Sequence, residues 1–207
     1  MFNGLPRPID IPRQYSGVQT FPRGPKKIET IKAIGSVHSW YNTPNTNWFT
    51  SYPGDTDLWL SAYTTGWMAR VYIKFLLTQI PAGTDVVSAK LYLYKKWINS
   101  NGASLNYTTR RITADWVFNT LTWNNAPAYS GVYGSTYNFG STLGVWKEHD
   151  ITEMVREWIS RQYPNYGVCL NYENPTGYRT DSKFYNHYSA DYCPYLVIET
   201  FPRFRRF

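Results

Sequence analysis

Two segments of the chain alternate strictly between apolar and polar residues, and this alternation restricts the fold more than any other feature. In the stretch ARVYIKFLL the apolar set consists of Val71, Ile73, Phe75 and Leu77. In SAKLYLYKKW the apolar set consists of Ala89, Leu91 and Leu93. A period of two residues places such side chains on one face of a β-strand. The turn sequence IPAGTD joins the two segments, so they predict sequential strands that each turn one face to a core.

The rest of the chain predicts further strands and one helix. The stretches GVCLNY and PYLVIET favour two more strands, and aromatic residues, which are 18% of the chain, suit the half-buried surface of a sheet. The segment DITEMVREWISR instead has apolar residues at helical spacing: Ile151, Met154, Val155, Trp158 and Ile159. Asp150 is expected to cap this helix, with Glu153 completing a capping box. We therefore expect an all-β sandwich with one short amphipathic helix.

The first 33 residues are expected to form an extended arm. Five prolines occur among the first 27 residues, and proline restricts φ and favours extended geometry in the residue before it. An arm of this kind can add to an exposed sheet edge or lie in a groove of a neighbour. Its candidate contact residues are Leu5, Arg7, Ile9, Ile11, Arg13, Tyr15, Phe21, Arg23, Lys26 and Lys27.

The excess positive charge of the chain lies at its two ends. The net charge is +7, and residues 1–33 and 201–207 together contain nine basic and two acidic residues. Residues 34–200 contain twelve of each and are neutral. The sequence is thus divided into a basic arm, a neutral body and a basic tail. Basic ends favour an acidic surface on a partner, whereas the neutral body makes nucleic acid an unlikely ligand.

Neither an export signal nor a membrane span is recognisable in the sequence. Prolines and arginines interrupt every candidate for the apolar core of a signal, and no run reaches the ~18 apolar residues that a span requires. The expected location is an extracellular surface, a spore surface or a virion. Cys169 and Cys193 are expected to be buried thiols, with a single disulfide as the alternative.

The sequence does not predict an enzyme. The three histidines, His38, His149 and His187, do not have metal-ligand spacing, and no nucleophile elbow or phosphate loop is present. We therefore expect neither a metal nor a cofactor. Tyr185 with His187 is an alternative, since tyrosine and histidine can serve a polysaccharide lyase; the more ordinary interpretation is a strand edge filled with aromatic residues.

The outward side chains of the alternating strands form a candidate binding face. Its residues are Tyr72, Lys74, Tyr92, Tyr94 and Lys96, with Tyr185 and His187 as possible additions. Aromatic rings can stack on sugars, and lysines can pair with uronic acid carboxylates. The same face could be a subunit interface, where tyrosine is enriched, or a surface covered by the protein's own arm. These three interpretations stay open.

Six segments, taken in order, resemble the DNRLRE domain family over roughly residues 34–200. They are RVYIKF, IPAGTDVVSAKLYLY, DWVFNTLTWNNAP, HDITEMVREWI, NYGVCLN and KFYNH…PYLVIET. The matching positions are Arg70, Phe75, Pro81, Ala89, Leu91, Trp116, Thr122, Trp123, Asn124, Pro127, Asp150, Thr152, Trp158, Gly167, Phe184, Pro194 and Leu196. The resemblance implies a non-catalytic jelly-roll β-sandwich related to carbohydrate-binding modules, some of which bind acidic polysaccharides. The chain departs from the family after Phe184, where Tyr185, Asn186, His187 and Tyr188 replace small hydroxyl residues and an acid.

Three functions are compatible with these features, and the weakest of them is nucleic-acid packaging through the basic ends. The first is a structural or adhesive subunit of a surface assembly, such as a filament, spore appendage or virion decoration, whose arm contacts copies of itself or other subunits. The charge distribution and the proline-rich arm motivate this hypothesis. The second is a carbohydrate-binding module for acidic polysaccharides, in which the partner is the glycan.

Overall fold

The computed structural model describes residues 25–41, 57–63, 66, 68–99, 106–173 and 179–201. The predicted tail after Phe201 lies outside these residues. So do eight of the predicted arm contacts: Leu5, Arg7, Ile9, Ile11, Arg13, Tyr15, Phe21 and Arg23. No helix among the described residues has the length and apolar character needed to cross a membrane.

The described part of the chain forms ten β-strands and one α-helix, which confirms the expected all-β sandwich. The strands are β1 (Lys27–Tyr41), β2 (Asp57–Ala62), β3 (Met68–Phe75), β4 (Asp85–Ile98), β5 (Asn106–Ile112), β6 (Tyr129–Asn138), β7 (Val145–Asp150), β8 (Val168–Tyr172), β9 (Thr180–Tyr185) and β10 (Tyr195–Phe201). The helix, α1, spans Thr152–Ile159. The two alternating segments of the sequence are β3 and β4, and the two later predicted strands are β8 and β10.

Antiparallel pairing arranges the strands in two layers. All ten strands belong to one sheet that folds over on itself, with β4, β7, β9 and β10 in one layer and β3, β5, β6 and β8 in the other. Strands β1 and β2 connect the layers: β1 pairs with β10 in its first half and with β3 in its second, and β2 pairs with β9 and, at Ser61, with β3. The predicted arm and body therefore overlap: residues 27–33, which the sequence assigns to the arm, form the first half of β1 and pair within the sheet.

The core lies between the two layers, where the alternating apolar residues meet. Val71, Ile73, Phe75, Ala89, Leu91 and Leu93 are each at most 2% exposed, as their spacing predicts. Burial of a side chain of this size stabilises a fold by roughly 1.5–3 kcal/mol. The core is thus assembled from the two strands that the sequence identifies first, together with facing residues from β2, β8, β9 and β10.

Helix α1 closes one side of this core with the predicted stripe. Its five apolar residues, Ile151, Met154, Val155, Trp158 and Ile159, are all buried. The expected capping box is wrong, because Ile151 occupies the N-cap position and Glu153 pairs with Arg156 instead. Asp150 still contributes, since its Oδ1 accepts the N–H of Thr152 at 2.8 Å.

A second apolar cluster lies on the other side of β3 and β8. It consists of Val37, Tyr72, Ile112, Trp116, Leu121 and Cys169, with Phe118, Ala126, Tyr129 and Tyr166 packed around it. Most of the covering side chains come from the connection between β5 and β6, residues 113–128, which we call the covering segment. Cys169 and Cys193 are both buried free thiols, so the disulfide alternative is wrong.

The close approach of β8 to β3 depends on one glycine. Gly167, directly before β8, has a φ of 97°, which residues other than glycine rarely adopt. A Cβ at this position would lie 2.2 Å from the carbonyl oxygen of Ile73. Glycine therefore allows β8 to pair with β3 and brings Cys169 beside Tyr72.

Candidate functional site

The structure divides the candidate face of the sequence into two groups on different sides of the molecule. Tyr92, Tyr94, Lys96 and Tyr185 lie together on the outer face of one layer. Tyr72 and Lys74 lie on the opposite layer. His187 follows the end of β9 and makes its contacts elsewhere.

Tyr72 is not available for binding, which corrects the expectation that it faces outward. Its side chain is 0% exposed, and its ring centroid lies 5.9 Å from that of Trp116 in the covering segment. Burial raises the pKa of its hydroxyl. Lys74 lies on the same side, where its Nζ donates to Asp115 Oδ1 at 2.6 Å and to the carbonyl oxygen of Trp116 at 2.8 Å. Both residues fasten the covering segment to β3.

The contacts of His187 are with Ser36, Phe118 and Tyr188 and not with the tyrosine face, to which Tyr185 belongs. Strand β9 ends at Tyr185, and the alternation of side chains ends with it. His187 Nδ1 accepts the backbone N–H of Ser36 at 2.8 Å, and its ring lies 4.9 Å from that of Phe118. Partial burial lowers the pKa of His187. Its role is to connect the loop after β9 to β1.

A continuous aromatic surface covers the outer side of the layer that contains β4. We call it the tyrosine face and define it by Tyr92, Tyr94, Trp146, Tyr185, Tyr192 and Tyr195, all partly exposed. Tyr94 lies at its centre, with ring centroids 4.1 Å from Tyr192, 5.3 Å from Trp146 and 5.9 Å from Tyr185. Tyr92 stacks on Tyr195 at 4.8 Å. Because each ring supports its neighbours, the face is held in place before any ligand binds.

Strand register explains how distant parts of the chain build this face. Tyr94 of β4 is directly opposite Trp146 of β7, and Tyr92 is directly opposite Tyr195 of β10. Tyr185 of β9 is opposite Asp57 of β2. Strands β10 and β9 pair in succession with one edge of β4, and β7 pairs with the other edge. Three strand positions spaced about 4.8 Å apart extend over roughly 10 Å, which accommodates a short stretch of a polymer chain.

Sequence analysis missed three of the six rings. Tyr195 and Trp146 occupy outward positions of strands, so a strand prediction for VWKEHD and the alternation in PYLVIET could have identified them. Tyr192 lies in the connection before β10, where no periodic pattern indicates the direction of a side chain. Only tertiary packing against Tyr94 brings Tyr192 to the face.

One end of the tyrosine face carries a group of lysines and tryptophans around a carboxylate. We call it the lysine corner and define it by Asp57, Trp59, Lys96, Trp97 and Lys183. A bulge in β4 between Lys95 and Trp97 lets both Lys96 and Trp97 turn outward. The ammonium of Lys183 lies 3.7 Å from the ring centre of Trp59 and 4.9 Å from that of Trp97. Such contacts are cation–π interactions.

The other end of the face carries a second carboxylate. Glu148 accepts from Lys90 Nζ at 2.5 Å and from the hydroxyl of Tyr92 at 2.7 Å. The hydrogen bond to Glu148 raises the pKa of Tyr92 to about 12, with a smaller contribution from burial. The hydrogen bond from Lys90, followed by that from Tyr92, lowers the pKa of Glu148. Charged hydrogen-bonding groups therefore lie at both ends of an aromatic surface.

A further cluster of cations and aromatic rings, around Arg70, has a structural role. The guanidinium carbon of Arg70 lies 4.3 Å from the ring centre of Trp123 and 5.2 Å from that of Tyr129. Arg70 Nε donates to Asn171 Oδ1 at 2.8 Å. Since Trp123 belongs to the covering segment, this cluster fixes that segment to β3 and β8. Over the described residues, no group of three or more potential metal ligands occurs.

A β-sandwich that exposes a row of aromatic rings on one layer is the arrangement of a carbohydrate-binding module, in which sugar rings pack against aromatic side chains. Comparison with known families agrees with this class. The chain belongs to carbohydrate-binding module family 96, whose sequence model matches residues 39–200. The relation to carbohydrate-binding modules expected from the sequence is thereby confirmed.

The chain is also similar to part of a much larger protein. A gellan lyase from Bacillus sp. is 28% identical over 138 residues, which is 65% of this chain and 5% of the lyase. The chain therefore spans about one twentieth of the length of that relative. The similarity concerns one segment of the lyase.

Proposed function

We propose that the chain is a non-catalytic carbohydrate-binding module that binds polysaccharides through its tyrosine face, and acidic polysaccharides in particular. The observation that carries this proposal is the row of six partly exposed rings on one layer of a chain that belongs to a carbohydrate-binding family. Aromatic side chains present large apolar surfaces with a polar tip. Such rings pack against the C–H faces of sugars while their hydroxyl groups reach the sugar hydroxyls.

The acidic class is supported by the cations that border the face. Lys90 lies at one end, and Lys96 and Lys183 lie at the other. A carboxylate on the polymer can form charge-assisted hydrogen bonds with such ammonium groups. The name of the similar lyase adds gellan to the polysaccharides worth testing, beside alginate.

The comparisons favour the second hypothesis of the sequence analysis over the first. Carbohydrate binding is supported by the family, whereas none of the comparisons supports a filament, spore or virion subunit. Assembly through the arm, the narrower DNRLRE assignment and an extracellular location stay predictions. The basic ends retain a role under the proposed function, since they would be attracted to an acidic polymer.

Titration calorimetry against gellan, alginate and a neutral glucan tests the proposal. We expect the double variant Tyr92→Ala plus Tyr94→Ala to lose most of the affinity. Each ring that buries about 50 Å² of apolar surface contributes roughly 1 kcal/mol, which corresponds to about fivefold in affinity. No release of reducing ends from any of the polysaccharides is expected.

The matched control is Tyr188→Ala. Tyr188 is 46% exposed but lies beside His187 and Phe118, away from the tyrosine face. The control should bind as the unmodified chain does. Absence of binding to every polysaccharide, or an equal loss in the control, would refute the proposed function.

A further inference from the structure

In the lysine corner, the carboxylate of Asp57 lies beside the ammonium groups of both lysines, where a carboxylate of a ligand could also bind. Asp57 Oδ1 accepts from Lys96 Nζ at 2.5 Å, while Asp57 Oδ2 lies 3.6 Å from Lys183 Nζ. The second distance exceeds that of a hydrogen bond. The carboxylate is therefore bound closely by one lysine and only loosely by the other.

Lys183 is placed to bind an additional anion. Its ammonium has three donors, its contact with Asp57 is long, and its side chain is held over the ring of Trp59. The side chain of Lys183 is 21% exposed to solvent, and that of Asp57 is 16% exposed. An incoming carboxylate can reach Lys183 while Asp57 stays hydrogen-bonded to Lys96.

Trp97 supplies an apolar surface next to this ammonium. It is 38% exposed, a large value for a tryptophan within a strand, and its ring lies 5.9 Å from that of Trp59. The bulge in β4 directs it outward beside Lys183. A sugar ring on Trp97 would place its substituents near the Lys183 ammonium.

We propose that the lysine corner is the subsite for a carboxylated sugar residue. Trp97 provides the ring on which the sugar packs, and Lys183 provides the ammonium that pairs with its carboxylate. Asp57 is a specificity-determining residue, because its negative charge repels the carboxylate of the ligand but leaves a neutral sugar unaffected. The inference rests on the proposed function. It additionally assigns the place where the acidic sugar binds, and it names Asp57 as the charge that limits the affinity for that sugar.

The substitution Asp57→Asn tests this directly, since it keeps the shape of the side chain and removes its charge. A unit charge about 5 Å away in a solvated site changes binding by roughly threefold to tenfold. We expect Asp57→Asn to bind alginate oligosaccharides threefold to tenfold more tightly and cello-oligosaccharides unchanged. The gain should shrink as salt is raised, because both charges are partly exposed.

Lys183→Met is the complementary variant, because it keeps an apolar stem over Trp59 and removes the charge. It should weaken binding of alginate oligosaccharides about tenfold and leave cello-oligosaccharides unchanged. Glu153→Gln is the matched control: it makes the same change in net charge as Asp57→Asn, but it lies on α1, where Glu153 pairs with Arg156. Thermal unfolding of each variant checks that the fold is retained.

The outcomes separate this inference from the proposed function. If alginate binding depends on Tyr92 and Tyr94 but is unchanged in Asp57→Asn and in Lys183→Met, the lysine corner is not the acidic subsite, while the proposed function stands. The same conclusion follows if Glu153→Gln raises the affinity as much as Asp57→Asn. If the unmodified chain binds neither oligosaccharide nor polymer, the proposed function fails, and this inference fails with it.

Discussion

The outward residues of β3 and β4 are similar in sequence, but in the structure those of β3 are covered and those of β4 remain at the surface. Both strands place tyrosines and lysines at the positions between their core residues. On β3 the covering segment packs over Tyr72, which is 0% exposed. On β4, Tyr92 and Tyr94 remain partly exposed and meet rings from three other elements. Alternation therefore identifies the side of a strand that faces away from the core, but not whether another segment covers that side.

The two layers also differ in the kind of side chain that their strands direct into the core. Beneath the covered face, the inward residues of β3 and β8 are apolar and do not titrate: Val71, Ile73, Phe75, Val168 and Leu170. Beneath the tyrosine face, β4 and β7 bury two titratable groups, Lys95 and His149, at 0% and 1% exposure. The layer that carries the tyrosine face therefore contributes two titratable groups to the pH dependence of stability.

Removal of one tyrosine from each face gives the largest expected difference. Tyr72→Ala should lower the free energy of unfolding by about 3–5 kcal/mol, the usual loss for a buried aromatic side chain. Tyr94→Ala should lower it by about 1 kcal/mol or less, because its ring is partly exposed. Urea denaturation measures both. Equal losses in the free energy of unfolding would mean that Tyr72 and Tyr94 are buried to the same extent, which would contradict the structure.

A fall in pH should destabilise the fold through two buried histidines, His149 of β7 and His38 in the half of β1 that pairs with β3. Burial lowers the pKa of His149 from its usual 6.5 to about 3, and Nδ1 lies 2.8 Å from the hydroxyl of Tyr107. Burial likewise lowers the pKa of His38 to about 3. The folded state keeps both neutral, while the unfolded chain binds protons below pH 6.5. Stability is therefore highest above pH 6.5 and falls toward pH 3, by up to about 1.4 kcal/mol per pH unit for each histidine.

The variant His149→Gln assigns this pH dependence. It should reduce the slope of the unfolding free energy between pH 6.5 and 4.5 and leave the contributions of His38 and His187. Urea denaturation at several pH values measures the slope. An unchanged slope in the variant would show that His149 is not one of the groups responsible.

Replacement of Lys95 should have the smallest effect, and it should stabilise the protein. Lys95 Nζ donates to the carbonyl oxygen of Gly140, and within the described residues no carboxylate forms an ion pair with it. Burial, and then the charge of Lys147, lowers its pKa from 10.5 to about 8. As the pH falls from 10.5 to 8, Lys95 becomes protonated in the unfolded chain while it stays neutral in the folded state. The free energy of unfolding therefore decreases over this range. At pH 7 the charged amine is therefore destabilising.

Lys95→Met should raise the free energy of unfolding at pH 7 by about 1 kcal/mol, because it removes a buried charge without a counter-ion. Lys32→Met, which changes an exposed amine on β1, is the control and should have a smaller effect. Thermal and urea unfolding compare the two. A loss of stability in Lys95→Met would indicate that the hydrogen bond to Gly140 outweighs the burial of the charge.

The sequence predicted the elements of the fold better than it predicted the site. The alternation in β3 and β4 and the helical stripe from Ile151 to Ile159 are local patterns, and each was confirmed because burial follows them directly. The capping box was wrong because Glu153 has a closer partner, Arg156, one turn along the helix. The face was only partly predicted, since Tyr92, Tyr94, Lys96 and Tyr185 meet while Tyr72, Lys74 and His187 make other contacts.

By itself, the sequence determined that this chain is a β-sandwich with one amphipathic helix and that the positions between the core residues of β3 and β4 carry tyrosines and lysines. Those properties depend on spacing and composition, which act between neighbours along the chain. Tertiary structure alone decided which aromatic side chains remain at the surface and that Asp57 lies between Lys96 and Lys183. Strand register and the path of the covering segment set those contacts, because they join residues 39 or more positions apart, and no local pattern records such distances.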